Sequence, residues 1–401
     1  MFRKEDNSEQ FPKKRNMSKC EAEDRKLCLF VISFFLTSAL NMSIKTIFPI
    51  PERLWGMISA FFMMLLGLVM VIALPIILNR GWKKFLLTEG VFVFLFVCSF
   101  LAGNASVSLL LRSGFWAIAV GIPLAFAVYV LQDKGLLLKM LYKSSYIQCI
   151  PLWLTLYYMR EAGTYSMSAS YSLVLPTLVF LQSFFERHRV RDLIVSVISA
   201  LLILFFGARG PLFCIAFYVL LQMIFMKNGN MKKILWGALF SVIVTFFLFY
   251  SWIIKGVEII LVKFDISSYV LRNLISGSFF VSGGRDTLRA YYMERIWEKP
   301  FSGWGLMGGW TGSGSGPHNM LLEYILAFGI IVGAIVCLFA VLLLVKTFLL
   351  QKSEHRELTF IFVSYCVVLF LVAGNWLEKP EWFIFVALCV SAKSTKRMKW
   401  I

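Results

Sequence analysis

The stretch that decides the fold is "LWGMISAFFMMLLGLVMVIALPIIL", residues 54–78, which runs for 25 positions without a charged side chain. A helix rises 1.5 Å per residue, so about 20 such residues cross the roughly 30 Å hydrocarbon core of a bilayer. The whole chain has this character, since 59% of its 401 residues are hydrophobic and 15% are charged. Soluble domains average about 45–50% apolar and about 25% charged residues. The composition therefore predicts a polytopic membrane protein.

Apolar runs of similar length recur along the chain. Backbone groups in lipid must be hydrogen-bonded within the protein, which a helix achieves by itself. The sequence thus predicts an all-α fold with about twelve transmembrane helices. We place them at residues 27–47, 54–78, 85–103, 109–131, 136–159, 169–185, 192–207, 210–226, 233–254, 318–345, 357–375 and 381–392. A signal peptide is the alternative for the first run, but no small-residue cleavage site follows it.

The net charge of +18 is distributed unevenly. Lysine and arginine concentrate in every second connection between the apolar runs, which is typical of membrane topology rather than of nucleic-acid binding. The positive-inside rule makes these connections cytoplasmic, and both termini with them. The opposite connections then lie outside. The basic connections are residues 1–26, 79–84, 134–143, 187–191, 227–233, 346–356 and 393–401.

The predicted organisation is one membrane domain with a single long outer loop. It consists of a basic cytoplasmic segment (1–26), nine spans (27–254), the outer loop (255–317), three spans (318–392) and a cytoplasmic tail (393–401).

The outer loop carries one helical pattern. In "RDTLRAYYMERIWEK", residues 285–299, Leu288, Tyr292 and Ile296 are four apart and share one helical face. This pattern predicts a short amphipathic helix along the outer membrane interface. Pro300 ends it, and a glycine-rich stretch returns the chain to the membrane.

The first candidate site residue is Arg209, in "FFGARGPLF", residues 205–213. This stretch forms the predicted tight outer turn between the seventh and eighth spans. A charge at membrane depth is costly and functional by default. Snorkelling of the side chain to the interface is the alternative.

The second candidate is Arg285, in "SGGRDTLRAYY", residues 282–292. A cation in the first turn of a helix opposes the helix dipole. Free helix amides and a guanidinium together suit a phosphate. An exposed loop arginine is the alternative.

The third candidate is His318, in "GSGSGPHNMLLEY", residues 312–324. We expect Ser315 or Gly316 to cap the following helix, with Pro317 in its first turn. His318 and Asn319 would lie at the outer mouth of the tenth span, and Glu323 about one turn deeper. Histidine titrates near neutrality and can take a proton from a hydroxyl. Interfacial packing of a lone histidine is the alternative.

Two arginines and a histidine on one face of the membrane are typical of group transfer from a lipid diphosphate. The arginines would stabilise the charge that develops on the leaving diphosphate. The sequence contains no DxD pair and no metal-ligand spacing of His, Asp and Glu, so we expect no metal and no cofactor. The eight cysteines include no CxxC and are interpreted as small apolar packing residues.

Residues 283–333 resemble the signature of the O-antigen ligase/polymerase family. The matching motifs are Gly284-Arg285, Trp297, the P-x-x-G-x-G at 300–305, His318-Asn319 with Leu321/Leu322, and Gly329 with Gly333. The upstream "GARGPLF" is similar to the family's S-R-G segment, with Ala208 in place of the serine.

The resemblance implies metal-independent, inverting glycosyl transfer at the outer face of a bacterial plasma (inner) membrane. The donor would be a glycan on undecaprenyl pyrophosphate, with Arg209 and Arg285 binding the pyrophosphate and His318 acting as base. We favour a polymerase of O-antigen, capsule or exopolysaccharide repeat units. The alternative is a ligase that transfers the glycan to lipid A-core or a protein hydroxyl. We expect Asn319, Glu323, Arg289, Trp304 and Trp310 to support this site.

Two other classes remain open. A transporter or lipid-glycan flippase also needs many spans and buried arginines, although it usually shows repeats and broken helices at the midplane. A structural scaffold is the other. For Trp304 and Trp310, stacking on sugar rings and anchoring in the headgroups are both consistent with the sequence.

Overall fold

The protein was analysed as a computed structural model. It describes residues 19–48, 50–159, 167–206, 208–225, 285–310, 316–350, 353–372 and 375–391, with scattered positions between 226 and 284. Regular structure in these residues is helical throughout. The helices are α1 Lys19–Ile47, α2 Glu52–Leu101, α3 Val107–Gly114, a π-helix Phe115–Gly121, α4 Ile122–Val130, α5 Lys134–Met159, α6 Met167–Arg187, α7 Val190–Phe206, α8 Arg209–Phe225, α9 Arg285–Glu298, α10 Met320–Leu350, α11 Ser353–Val372 and α12 Pro380–Ser391.

Five helical stretches in the described part of the chain are long and apolar enough to cross a membrane. They are Lys19–Lys45, Arg53–Leu101, Val107–Val130, Met167–Arg187 and Met320–Val345. The all-α membrane class predicted from the sequence is thus confirmed. The number of twelve spans stays a prediction. Most of residues 233–284, which hold the expected ninth span and the first part of the outer loop, lie outside the described residues.

The second and third predicted spans, 54–78 and 85–103, correspond to two helical segments that meet directly at a kink. α2 is interrupted at Gly81, whose φ of −157° and ψ of 24° are not helical, within the connection predicted at residues 79–84. The charge pattern marked this connection, but it could not show that the connection is a kink and not a loop. A Cβ at Gly81 would lie 3.1 Å from the Val130 side chain, so the bend brings α2 against the end of α4.

Polar contacts between connections fall into two sets. At one end, Arg80 pairs with Asp24 at 2.5 Å and with Glu23 at 2.8 Å, and Asp24 accepts the Asp133 N–H at 2.9 Å. These residues lie in or beside connections that the charge pattern predicts to be cytoplasmic. At the other end, Lys299 donates to Asn104 at 3.1 Å, joining two predicted outer connections.

α10 is not the straight span predicted at 318–345. Gly329 interrupts it with φ 76° and ψ 171°. The Cys337 thiol lies 3.9 Å from the Leu321 carbonyl oxygen, 16 residues away, although 16 residues of straight helix extend about 24 Å. A Cβ on Gly333 would lie 2.6 Å from the Ile325 Cα. Since both contacts join positions equidistant from Gly329, residues 320–328 fold back antiparallel against residues 330–350.

We call residues 320–328 the half-helix. At 1.5 Å per residue it is about 13 Å long, whereas residues 330–350 extend about 31 Å and are long enough for a span by themselves. The beginning of the half-helix therefore lies beside the middle of the second segment, not beside its end. The predicted position of His318 and Asn319 at the mouth of the span, with Glu323 one turn deeper, is thus wrong, because Glu323 lies between them and the break at Gly329.

The break at Gly329 is covered by residues 300–305. The Ile330 N–H donates to the Pro300 carbonyl at 2.7 Å, and the Trp304 N–H donates to the Leu326 carbonyl at 2.8 Å. These bonds replace the intrahelical ones that the break removes, as membrane burial requires. A Cβ on Gly329 would lie 2.3 Å from the Phe301 carbonyl oxygen, so the two backbones meet where no side chain fits.

α9 packs its predicted apolar face on the half-helix. Tyr292 and Ile296 are buried together with Leu326, and Leu288 and Leu322 pack against them. The shared face of Leu288, Tyr292 and Ile296 is thus confirmed. The surface that this face meets is the half-helix.

Candidate functional site

The half-helix begins with an asparagine cap. The Asn319 Oδ1 accepts the Leu321 N–H at 3.0 Å and the Leu322 N–H at 3.2 Å. The predicted cap at Ser315 or Gly316 is wrong, and Pro317 precedes the helix instead of lying in its first turn. Asparagine is among the best N-cap residues because its side-chain oxygen reaches the free amides of the first turn.

His318 directly precedes this cap in an unusual backbone conformation. Its φ is +51°, in the left-handed region, and its side chain is half-buried. A non-glycine residue with positive φ is uncommon, and such strain costs on the order of 1–3 kcal/mol and clusters at functional sites. The strain therefore makes His318 a candidate functional residue independently of its chemistry.

Arg209 is the first residue of α8. Its neighbours Ala208, Gly210 and Pro211 are buried, and Arg209 itself is half-buried. A cation at this position opposes the helix dipole. The preceding residue of the predicted turn, Gly207, lies outside the described residues.

Arg285 is the first residue of α9. Its side chain and the preceding residues 277–284 lie outside the described part of the chain. Arg289, one turn later, is exposed. The meeting of Arg209, Arg285 and His318 in one cavity therefore stays a prediction.

Glu323 is bonded to a connection that the sequence analysis did not associate with it. Its carboxylate is buried and accepts the backbone N–H of Asn375 and, at 3.0 Å, that of Trp376. These amides belong to a short 3₁₀ turn, Trp376–Glu378, between α11 and α12. The carboxylate thus joins the half-helix to the last outer connection of the chain.

Asn375 is the residue that sequence reasoning missed. It has φ +56°, its side-chain oxygen accepts the Leu377 N–H at 3.2 Å, and its Nδ2 donates to the Ser113 hydroxyl at 3.0 Å. The available signal was "AGNWLEKP", residues 373–380, a polar turn of Gly, Asn and Pro between the last two apolar runs. Nothing in the sequence linked that turn to Glu323.

The network continues from the 3₁₀ turn to α3. Glu378 accepts the Ser113 hydroxyl at 3.0 Å and an Arg112 N–H at 2.8 Å. α3 passes directly into the π-helix at Phe115–Gly121. π-Helical turns occur frequently at functional sites, and this one lies just beyond the residues that hold the turn.

Two cationic side chains lie against the ring of Trp304. The Arg295 guanidinium lies 3.7 Å and the Lys299 ammonium 4.1 Å from its centroid, and its indole N–H donates to the Arg295 carbonyl at 2.7 Å. Cation–π contacts of this kind stabilise the loop that covers the break in α10. They favour a structural role for Trp304 over stacking on a sugar.

The Trp310 ring packs against the backbone at Gly316, two residues before His318. A Cβ on Gly316 would lie 2.0 Å from the Trp310 ring, so only glycine fits beneath it. A narrow pocket opens beside this tryptophan, between the loop, the half-helix and the 3₁₀ turn. Its polar residue is Glu323, and Met307, Leu326 and Trp376 line it.

Comparison of the chain with models of protein families, with curated proteins and with solved structures finds no match.

Proposed function

We propose that this protein is a membrane glycosyltransferase whose active site opens on the outer face of a bacterial plasma membrane. It transfers a glycan from undecaprenyl pyrophosphate to a hydroxyl group, and its main activity is the polymerisation of lipid-linked repeat units. A ligase that uses lipid A-core or a protein hydroxyl is the alternative acceptor class within the same proposal.

The observation that carries the proposal is the position of the three candidate residues. Arg209 begins α8, Arg285 begins α9, and His318 stands two residues before α10. Helix N-termini present free amides and a partial positive charge, which suits phosphate oxygens. A diphosphate would be favourable at two helix starts that each also carry an arginine.

The proposed step needs little else from the protein. The His318 imidazole takes the proton of the acceptor hydroxyl, whose oxygen forms a bond to the anomeric carbon of the donor. The bond from that carbon to the diphosphate oxygen breaks with its electron pair, and the lipid diphosphate leaves. Arg209 and Arg285 stabilise the charge on this leaving group. The proton on the imidazole then passes to solvent.

One structural observation favours the transporter alternative. Discontinuous helices that start near the middle of the bilayer are typical of substrate sites in secondary transporters, and α10 is discontinuous at Gly329. A flippase would move a fluorescent lipid-linked glycan across vesicles that contain the purified protein. We expect no movement above protein-free vesicles, and movement that survives His318→Ala would favour the transporter.

We predict that Arg285→Lys loses most of the transfer activity. A lysine keeps the charge but cannot form the forked, bidentate contact of a guanidinium with phosphate. Turnover of a lipid-linked donor measures the effect, with Arg53→Lys, at an exposed position near the start of α2, as the control. Wild-type turnover in Arg285→Lys would support the exposed-arginine interpretation.

Deletion of the gene separates polymerase from ligase. A polymerase deletion is expected to remove long glycan chains while a single attached repeat unit persists. A ligase deletion would remove every attached repeat and let lipid-linked polymer accumulate. Electrophoretic glycan profiling distinguishes the two patterns, and an unchanged profile would contradict both.

A further inference from the structure

We propose that Glu323 is a positioning residue for His318 and that the backbone amides of Asn375 and Trp376 hold its carboxylate in place. We call these two amides the receptor. The inference rests on the proposed function, in which the His318 imidazole is the base. It assigns a role in that reaction to the connection between α11 and α12.

The receptor has the geometry of a backbone anion site. Two consecutive amides, those of Asn375 and Trp376, donate to the same carboxylate, and Asn375 is in the left-handed conformation. Successive N–H groups around a left-handed residue form a concave site for anions. Here the anion is the side chain of Glu323, which is only 6% exposed.

The receptor is itself fixed on α3. The Asn375 Nδ2 donates to Ser113, and the Ser113 hydroxyl donates to Glu378 at the end of the same turn. The left-handed backbone of Asn375 is supported by its own side chain, which accepts the Leu377 N–H. The two amides therefore stand in a defined place relative to the transmembrane helices.

The hydrogen bonds from the receptor to the Glu323 carboxylate, which we call the tie, hold the end of the half-helix that follows His318. The Glu323 N–H donates to the Asn319 carbonyl at 3.0 Å, which makes Glu323 the first residue bonded back to the cap. His318 precedes that cap. A rotation or shift of the first turn would displace His318 with it, and the carboxylate prevents such a shift at the nearest turn.

The half-helix has docking contacts that do not involve this carboxylate. Its other end is held by the Leu326 contact with Tyr292 and Ile296 and by the Trp304 and Gly305 amides. An apolar side chain at 323 would avoid the cost of burying a carboxylate in a membrane protein. The carboxylate adds directional hydrogen bonds at the end of the half-helix next to His318. Such bonds fix the position of the helix end, and a catalytic base needs a fixed position.

The test compares Glu323→Ala and Glu323→Gln with Leu326→Ala, which weakens the far end of the half-helix and leaves the tie. Two quantities are measured in the full-length protein: kcat and KM with a lipid-linked donor, and the rate of diethyl pyrocarbonate modification at His318. The chain has three histidines, so mass spectrometry resolves the site, and exposed His188 is the internal reference. The second readout does not depend on activity.

We expect Glu323→Ala to lower kcat by about 10- to 100-fold with KM nearly unchanged, since small misplacement of a catalytic group has effects of this size. The modification rate at His318 should change several-fold while that at His188 stays constant. Glu323→Gln should fall between, because its amide oxygen can accept one of the two N–H groups. Leu326→Ala should reduce thermal stability with wild-type reactivity at His318.

Wild-type kcat and His318 reactivity in Glu323→Ala would overturn the inference, and so would equal His318 reactivity changes in Glu323→Ala and Leu326→Ala. Failure of the proposed function is a different result: the wild-type protein would not turn over the lipid-linked donor, or His318→Ala would keep wild-type turnover. In that case the modification rates still report whether Glu323 holds the histidine in place.

Discussion

Replacement of His318 by alanine is expected to abolish glycan transfer while the protein inserts and folds normally. Removal of a general base costs about 10²–10⁴-fold in rate, and no other histidine is predicted to reach the site. Turnover of a lipid-linked donor by the purified variant measures the effect, and size-exclusion chromatography in detergent reports folding.

The control for this variant is His188→Ala. His188 also has a left-handed backbone, with φ 54° compared with 51° at His318, and it is exposed between α6 and α7. Alanine suffers the same backbone strain at both positions, so the strain cancels in the comparison. Substantial residual turnover in His318→Ala, or equal losses in both variants, would remove the assignment of His318 as base.

Gly329→Ala is expected to produce the largest loss of stability. The backbone at 329, with φ 76° and ψ 171°, is accessible almost only to glycine, and a Cβ would lie 2.3 Å from the Phe301 oxygen. Strain and overpacking each cost about 1–3 kcal/mol, so we expect roughly 2–6 kcal/mol in total. Thermal unfolding in detergent and the yield of monodisperse protein measure the change.

Gly67→Ala is the matched control. Gly67 lies in a regular part of α2, and a Cβ there would have no neighbour within 4 Å. Alanine is a better helix former than glycine by about 0.8–1.0 kcal/mol, so this variant should unfold at or above the wild-type temperature. A Gly329→Ala variant as stable as Gly67→Ala would contradict the hairpin at α10.

The helix positions followed closely from the sequence because hydropathy and charge act locally. The predicted runs at 169–185 and 192–207 correspond to Met167–Arg187 and Val190–Phe206. The packed face of α9 also followed from spacing, since a four-residue period fixes which side chains share a face. These features need no knowledge of the rest of the fold.

The break in α10 could not be predicted in this way. Glycine is frequent in transmembrane helices, so Gly329 and Gly333 within an apolar run gave no reason to divide it. The hairpin depends on contacts from elsewhere in the chain. The Pro300 carbonyl accepts the Ile330 N–H, and the Trp304 N–H donates to the Leu326 carbonyl, so backbone groups beside the break are hydrogen-bonded. Their docking is a tertiary effect that propensity does not encode.

The candidate site residues named from the sequence stay a prediction, and the sequence did not indicate the side chains that hold Glu323 and the half-helix. Arg209 and His318 were selected at predicted outer ends of spans, and Arg285 was selected at the start of the helix in the outer loop. The receptor for Glu323 lies 52 positions away in the chain, at Asn375. Its asparagine and the cap at Asn319 both act through side-chain bonds to local backbone, which a pattern search does not distinguish from ordinary turns.

Release of lipid diphosphate by the purified protein tests the central claim most directly. The protein in detergent micelles, with EDTA present, is given an undecaprenyl-pyrophosphate-linked glycan together with a hydroxyl acceptor: a second lipid-linked unit, lipid A-core or an acceptor protein. We predict free undecaprenyl pyrophosphate and an equal amount of enlarged glycan, both lost in His318→Ala. Unchanged donor with every acceptor, from protein that is folded by size-exclusion chromatography, would contradict glycosyl transfer as the function.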